Sequence, residues 1–404
     1  MRITSQPGPH NWFGSAMIIA GTSIGAGMLA IPETVAACGF FLSSILLISI
    51  WALMVITAFL ITEVNLVMPE GANFKTMAEI TLGVTGKVIT WVAYLLLLYS
   101  LTAAYSASGA QLIGAGLGWI GLNFSANINS LLFILVFGGI VYFGTAWVDK
   151  ANQFLIFFKI MAFCAFLVFI LPQIDPGLLT HPPQQWDYLW MTFPILITSF
   201  GYHHILPTLR TYVASDRAAL RKAIIVGSGL PLVIYLIWVA ATLGSIPLHG
   251  FAQIIAQGND LGVAGAYVNA TIKYLASWFS MIAVTTSFLG VGLGLFDFNR
   301  DTYRISPTGI FNRFSVFLLT FLPPYLFVIF YPHGFVMALG YASIFVAILL
   351  IGLPAAMMWA WRDRIGPSWL THRAMLAVIM LIAVLFIGLE ILTKMNALPH
   401  LMPA

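Results

Sequence analysis

Apolar runs long enough to cross a bilayer, which takes about 17–25 residues, alternate with short polar linkers along nearly the whole chain. Eleven can be counted, at approximately 12–38, 41–67, 88–118, 128–145, 148–172, 187–213, 223–246, 276–298, 313–330, 334–361 and 372–393. None shows the alternation of a membrane-barrel strand, so the expected secondary structure is helix, which satisfies its own backbone groups in lipid. The linkers are short except 246–275, which has room for one or two short surface helices.

Two of the runs carry interruptions. In "AGTSIGAGML", Ala20 to Leu29, the glycines Gly21, Gly25 and Gly27 surround Thr22 and Ser23 at a depth where broken backbone is costly. In "TFPILITSFGYHHILPTLRTYV", Pro194, Gly201 and Pro207 bracket Thr198, Ser199, Tyr202, His203 and His204. These are the first and sixth spans, each the first of a set of five. Paired interruptions at corresponding places point to a transporter built from inverted repeats, with its site at the breaks. Opened turns leave amides at the start of one half-helix and carbonyls at the end of the other. Amides suit a carboxylate and carbonyls an ammonium, so a zwitterion fits both. The competing reading of the first stretch is a small-residue packing face, since Gly21 and Gly25 have the spacing of a helix–helix contact.

Composition agrees with the pattern. Hydrophobic residues make up 60% of the 404, charged ones only 7%, and mean hydropathy is +0.97. A soluble chain needs far more charge to cover its surface. With the N-terminus inside, fourteen basic residues fall on the cytoplasmic side and two, Lys273 and Lys394, outside. That places residues 1–11 as a retained cytoplasmic tail and the C-terminus on the far side of the membrane. The remaining cation, Lys159, sits near the centre of span five, where a lysine costs roughly 2.5–3.5 kcal/mol on insertion scales. It is read as an amine facing an internal cavity, able to release its proton.

Other candidates carry less. Adjacent His203 and His204 point about 100° apart on a helix, too far to share a metal, and one of them is expected to face the cavity. Tyr99, Tyr105 and Ser106 are candidate pocket residues that serve equally well as packing. Glu63 and Asn65 read as solvated interface positions, Glu390 as a wet residue near the outer end of span eleven, and Glu33 as a possible gate. Cys38 and Cys164 lie within apolar spans, so no disulfide framework or cysteine-rich metal site is expected. "LGVTGKV" (82–88) fails as a phosphate loop. A channel lacks its selectivity loop here, and an enzyme lacks a converging nucleophile, base and metal set.

Five blocks carry a resemblance: "AGTSIGAGMLAIP", "SLTAAYSASG" (100–109), "SFGYHH" (199–204), "TSFLGVGLGLFD" (286–297) and "FLPPYLFVIFYPHGFVMALGYA" (321–342). From about Asn11 to the last span the chain resembles the hydroxy/aromatic amino acid permeases of the amino acid–polyamine–organocation superfamily, tyrosine and tryptophan permeases above all. The resemblance implies an all-α polytopic membrane protein with eleven transmembrane helices in the leucine-transporter-type five-plus-five inverted repeat. Helices 1–5 lie in 12–172, helices 6–10 in 187–361, and an additional helix at 372–393. It implies a proton symporter, not an enzyme, that imports an aromatic L-amino acid, tyrosine first and tryptophan next, across the bacterial inner membrane. Alternatives are another neutral amino acid, or a sensor that keeps the fold without transporting. No cofactor or metal is implied; the partners are substrate, proton and membrane lipid. In members of this superfamily a lysine in the fifth helix can replace a bound sodium ion; Lys159 matches it, between span one and Thr286 and Ser287 of span eight. The substrate would meet Thr22, Gly25, Ala26 and Gly27 of span one, Tyr99 and Tyr105 of span three, and Ser199, Phe200, Gly201, Tyr202 and His203 of span six. His204 stands where those permeases usually have glycine.

Overall fold

The computed structural model describes residues 12–181, 189–251, 269–305 and 309–395. The tail expected at 1–11 and most of the 246–275 linker lie outside them. Regular structure among the described residues is helical: α1 Trp12–Ser23, α2 Gly27–Val35, α3 Gly39–Leu66, α4 Phe74–Gly118, α5 Ala126–Phe133, α6 Gly139–Phe143, α7 Thr145–Ile170, α8 Pro176–Thr180, α9 Leu189–Ser199, α10 Leu206–Tyr212, α11 Arg217–Leu243, α12 Ala270–Thr302, α13 Ile310–Phe330, α14 Phe335–Val346, α15 Leu353–Ile365 and α16 Arg373–Lys394. α5 with α6, and α14 with α15, are joined through single π turns at Ile134–Gly138 and Ala347–Gly352.

Nine helical stretches among the described residues are long and apolar enough to cross a membrane, from Gly27–Leu66 to Arg373–Lys394. The difference from eleven has a local cause. A 3₁₀ turn at Ala36–Cys38 joins α2 to α3 without a gap, so the two form one stretch of 40 residues. The half-helices α1, α9 and α10, of 12, 11 and 7 residues, are each too short to cross alone. Span three also begins earlier than its apolar run suggests. Its helix starts at Phe74 and bends at Gly83, whose φ of 71° no helix interior adopts.

Three helices that follow polar linkers start on side-chain caps. Asn73 accepts the Thr76 amide at 3.0 Å, Asp216 those of Ala218 and Ala219 at 2.9 and 3.2 Å, and Asn269 that of Ile272 at 3.0 Å. Each such cap contributes about 1 kcal/mol. The half-helices that begin inside the bundle have none: Ala26 before α2 and Ile205 before α10 make no capping bond. The α2 end is left to an acceptor from another helix, whereas a 3₁₀ turn leads into α10 and the Leu206 amide bonds His203 O.

The core is a single contiguous cluster centred where α1, α2 and α9 meet α3, α11 and α14. α12 packs along α7 and α4 and brings its middle to the first break. Two carboxylates depart from expectation. Glu63 is buried and paired with Arg221 at 2.7 Å and Arg217 at 3.1 Å, because the start of α11 folds over the end of α3. Asn65 is buried there too, donating to Ala72 O at 3.0 Å, while Arg210 caps the carbonyls of Asn65 and Met68. Glu390 is buried as well, held by Lys394 at 3.2 Å. Neither end of the bundle leaves these groups to water; partners distant in sequence, or one helical turn away, cover them.

Candidate functional site

Both interruptions are real gaps in helical backbone, narrower than the glycines alone suggest. α1 runs through Gly21 and Thr22 to Ser23, and α2 restarts at Gly27. α9 runs through Pro194 to Ser199, and a 3₁₀ turn at His203–Ile205 leads into α10, with Pro207 in its first turn. The same four-residue pattern stands at both stops: Thr22-Ser23-Ile24-Gly25 and Thr198-Ser199-Phe200-Gly201. In each, the Thr and Ser hydroxyls turn back on carbonyls four residues earlier, at 2.8 and 3.1 Å in α1 and 2.8 and 2.9 Å in α9. Such bonds loosen a helix end and leave the last carbonyls to other donors.

Two other helices supply donors and a third supplies an acceptor. The Lys159 Nζ of α7 donates to Ile24 O at 3.1 Å. The Ala26 amide donates to Ser287 Oγ of α12 at 2.9 Å. The Tyr235 hydroxyl of α11 lies 2.6 Å from Ser23 O and 2.9 Å from Ser199 O. The two breaks also touch directly: a Cβ on Gly27 would stand 3.3 Å from Ser199 Oγ. A Cβ on Gly25 would come within 2.9 Å of Ser287 Oγ, whereas one on Gly21 would meet nothing within 4 Å. Among the described residues Gly21 therefore makes no close packing contact, and the Gly21–Gly25 pair does not pack together against another helix of this chain.

The residues singled out in the sequence divide accordingly. Gly25, Ala26, Gly27, Ser199, Lys159 and Ser287 converge on the junction of the breaks. Phe200 is buried and meets Tyr235 edge-on at 5.2 Å. Tyr105 is buried in α4. Thr22 and Thr286 stand beside the junction with their hydroxyls bonded within their own helices, Thr286 to Ala283 O at 3.0 Å. A Cβ on Gly201 would stand 3.1 Å from Thr198 O.

Tyr99 is not brought there. Its hydroxyl donates to Leu319 O of α13 at 2.8 Å and receives Asn299 Nδ2 at 3.2 Å. Asn299 is twelve residues beyond Ser287 on α12, roughly 18 Å of helix. Tyr202 and His203 face α3: their rings lie 4.8 Å apart, tilted by 31°, Tyr202 reaches Met54 O at 3.4 Å, and His203 Nε2 lies 2.9 Å from Thr57 Oγ1. Of the two histidines, His203 is buried and His204 is the accessible one.

Tyr235 is the residue sequence reading passed over, since a tyrosine in mid-span looks like packing. Its signal was indirect: the repeated Thr-Ser-x-Gly at both stops creates two equivalent carbonyls that need a common donor.

The arrangement brings carbonyl ends, an amide end and a cationic side chain to one junction. Solved structures of single-residue variants of an Eremococcus coleocola manganese transporter superpose with a TM-score of 0.59 at 11% identity, covering 97% of this chain and 89% of theirs, a likeness of fold alone. The tyrosine-specific transport system 1 of Haemophilus influenzae is 36% identical over 94% of both chains. A tryptophan-specific transport protein of Pseudomonas aeruginosa is 35% identical over 87% of both. The model of the tryptophan/tyrosine permease family matches residues 9–393. This multi-pass membrane chain, with its two meeting helix breaks, belongs to the tryptophan/tyrosine permease family.

Proposed function

We propose that the protein is a secondary transporter that imports an aromatic amino acid, tyrosine or tryptophan, by proton symport across the bacterial inner membrane. Family membership and relatives named for tyrosine and tryptophan transport support the substrate class. The observation that carries the mechanism is the Lys159 ammonium on Ile24 O, at the open carbonyl end of α1. Counting α1 with α2 and α9 with α10 as one crossing each, and the turn at Ala36–Cys38 as a reversal, the chain crosses eleven times. Residues 12–172 and 187–361 form the two halves, and 372–393 is the additional helix; the repeated Thr-Ser-x-Gly supports that division. The N-terminus lies in the cytoplasm and the C-terminus in the periplasm, as the basic residues indicate.

In this reading the substrate carboxylate meets the amide end of α2 at Gly27, next to the Ala26 amide that Ser287 accepts, and its ammonium meets the carbonyl ends of α1 and α9. The aromatic ring lies among Phe200 and Tyr105. Lys159, charged, favours the negative end of the α1 dipole. Loss of its proton removes that attraction and shifts the balance between bundle states. Ser287 keeps the break open by accepting the Ala26 amide.

Uptake into proteoliposomes tests this with labelled tyrosine, tryptophan and phenylalanine under separately imposed proton and sodium gradients. Accumulation is expected with the proton gradient alone, and Lys159→Ala should abolish it or leave exchange that no gradient drives. Dependence on sodium would remove the role given to Lys159. Failure of all three amino acids to compete for uptake would remove the substrate class.

A further inference from the structure

Tyr235 lies fully buried in α11, between two equivalent carbonyls. Ser23 O and Ser199 O each belong to the last residue of a half-helix, where carbonyls lack an amide partner in their own helix and the dipole is negative. One oxygen reaches both, so the two carbonyls stand close enough to repel each other. A phenol has a single proton to give. At any instant it serves one carbonyl, and the other keeps a lone pair directed at the same point without it. The Gly25 amide also reaches Ser23 O, at 2.9 Å, so the need for a further donor is greater at Ser199 O. The ring itself is positioned by Phe200, part of the second break.

We infer that Tyr235 is a positioning residue for the α-ammonium of the substrate: its hydroxyl holds the Ser23 and Ser199 carbonyls together as a pair and cedes one of them when an ammonium arrives. The inference rests on reading the breaks as the substrate site. An ammonium brings three donors and a full charge, which satisfy a carbonyl pair better than one phenol proton does. Tyr235 thus acts through the carbonyls. It sets their spacing before binding, so that the two breaks offer one acceptor site instead of two ends pushed apart.

The test compares ligands that differ only in the group Tyr235 is said to serve. Equilibrium binding to the purified full-length protein is measured for tyrosine and tryptophan, and by competition for 3-(4-hydroxyphenyl)propionate and indole-3-propionate, which keep ring and carboxylate but lack the ammonium. Tyr235→Phe is expected to raise the Kd of the amino acids about ten-fold, equivalent to about 1.4 kcal/mol, and to leave the des-amino acids within about two-fold. Equal weakening of both classes would show a packing role and overturn the inference, as would no weakening of either. Tyr235→Trp, which keeps a buried ring but moves its donor, must show the same selective loss if the phenylalanine variant is not recovered folded. Failure of the unaltered protein to bind either amino acid would remove the substrate reading and this inference with it, and is seen before any substitution is made.

Discussion

A single methyl group added at Gly25 would press on Ser287 Oγ from 2.9 Å, and that oxygen is the acceptor for the Ala26 amide. The serine can rotate away only by giving up the bond, which leaves a buried amide unpaired at a cost of about 1–3 kcal/mol. Gly25→Ala is therefore expected to reduce uptake about ten-fold or more. Gly21→Ala, with open space around its new Cβ, should stay within about two-fold of the unaltered protein. The two residues on either side of the contact should also couple. In a Ser287→Ala background, Gly25→Ala should cost much less than it does alone, because the clashing oxygen is gone. Additive losses in uptake assays of the four proteins would show that Ser287 is not what Gly25 makes room for. The glycines were visible in the sequence as a weak point. Which of them bears the contact was not, because that depends on where α12 lies.

At the scale of elements, α3 and α11 are joined at one end by an asymmetric ion cluster. The Glu63 side chain is 4% exposed, whereas those of Arg221 and Arg217 are 38% and 57% exposed. Removing the acid leaves arginines that can turn to water. Removing the arginines leaves a carboxylate that cannot. Glu63→Gln is thus expected to destabilise by about 1 kcal/mol, and the double substitution of Arg217 and Arg221 by alanine by about 3–5 kcal/mol. Thermal unfolding midpoints in detergent read the order; an equal or reversed order would contradict the burial. Nothing local to Glu63 reveals this. A carboxylate near the end of an apolar run reads as solvated, and its partners stand 154 and 158 positions further along the chain. The helix starts are the opposite case: Asn73, Asp216 and Asn269 cap helices through neighbours two or three residues away, and such signals survive in any window of sequence.

For the molecule as a whole, the asymmetry of basic residues makes a topological prediction. After the exposed Cys164 is replaced, Lys273→Cys should react with an impermeant maleimide in intact cells, and Arg364→Cys only after permeabilisation; the reverse pattern would invert the assigned orientation. The apolar runs and the sites of the two helix breaks were both determined by the sequence. Hydropathy, charge and the hydrogen-bonding limits of glycine and proline act within a few residues, so a linear reading captures them. The tertiary structure alone decided that the two breaks meet, that Tyr99 stands apart from them, that His203 turns to α3, and that Glu63 and Glu390 are dry. It also decided which side chains serve the opened turns: Lys159, Ser287 and Tyr235, reaching Ile24, Ala26 and Ser23 from 135, 261 and 212 residues away in sequence. A broken helix leaves backbone groups that lipid cannot satisfy, and only the packing of distant helices determines what answers them.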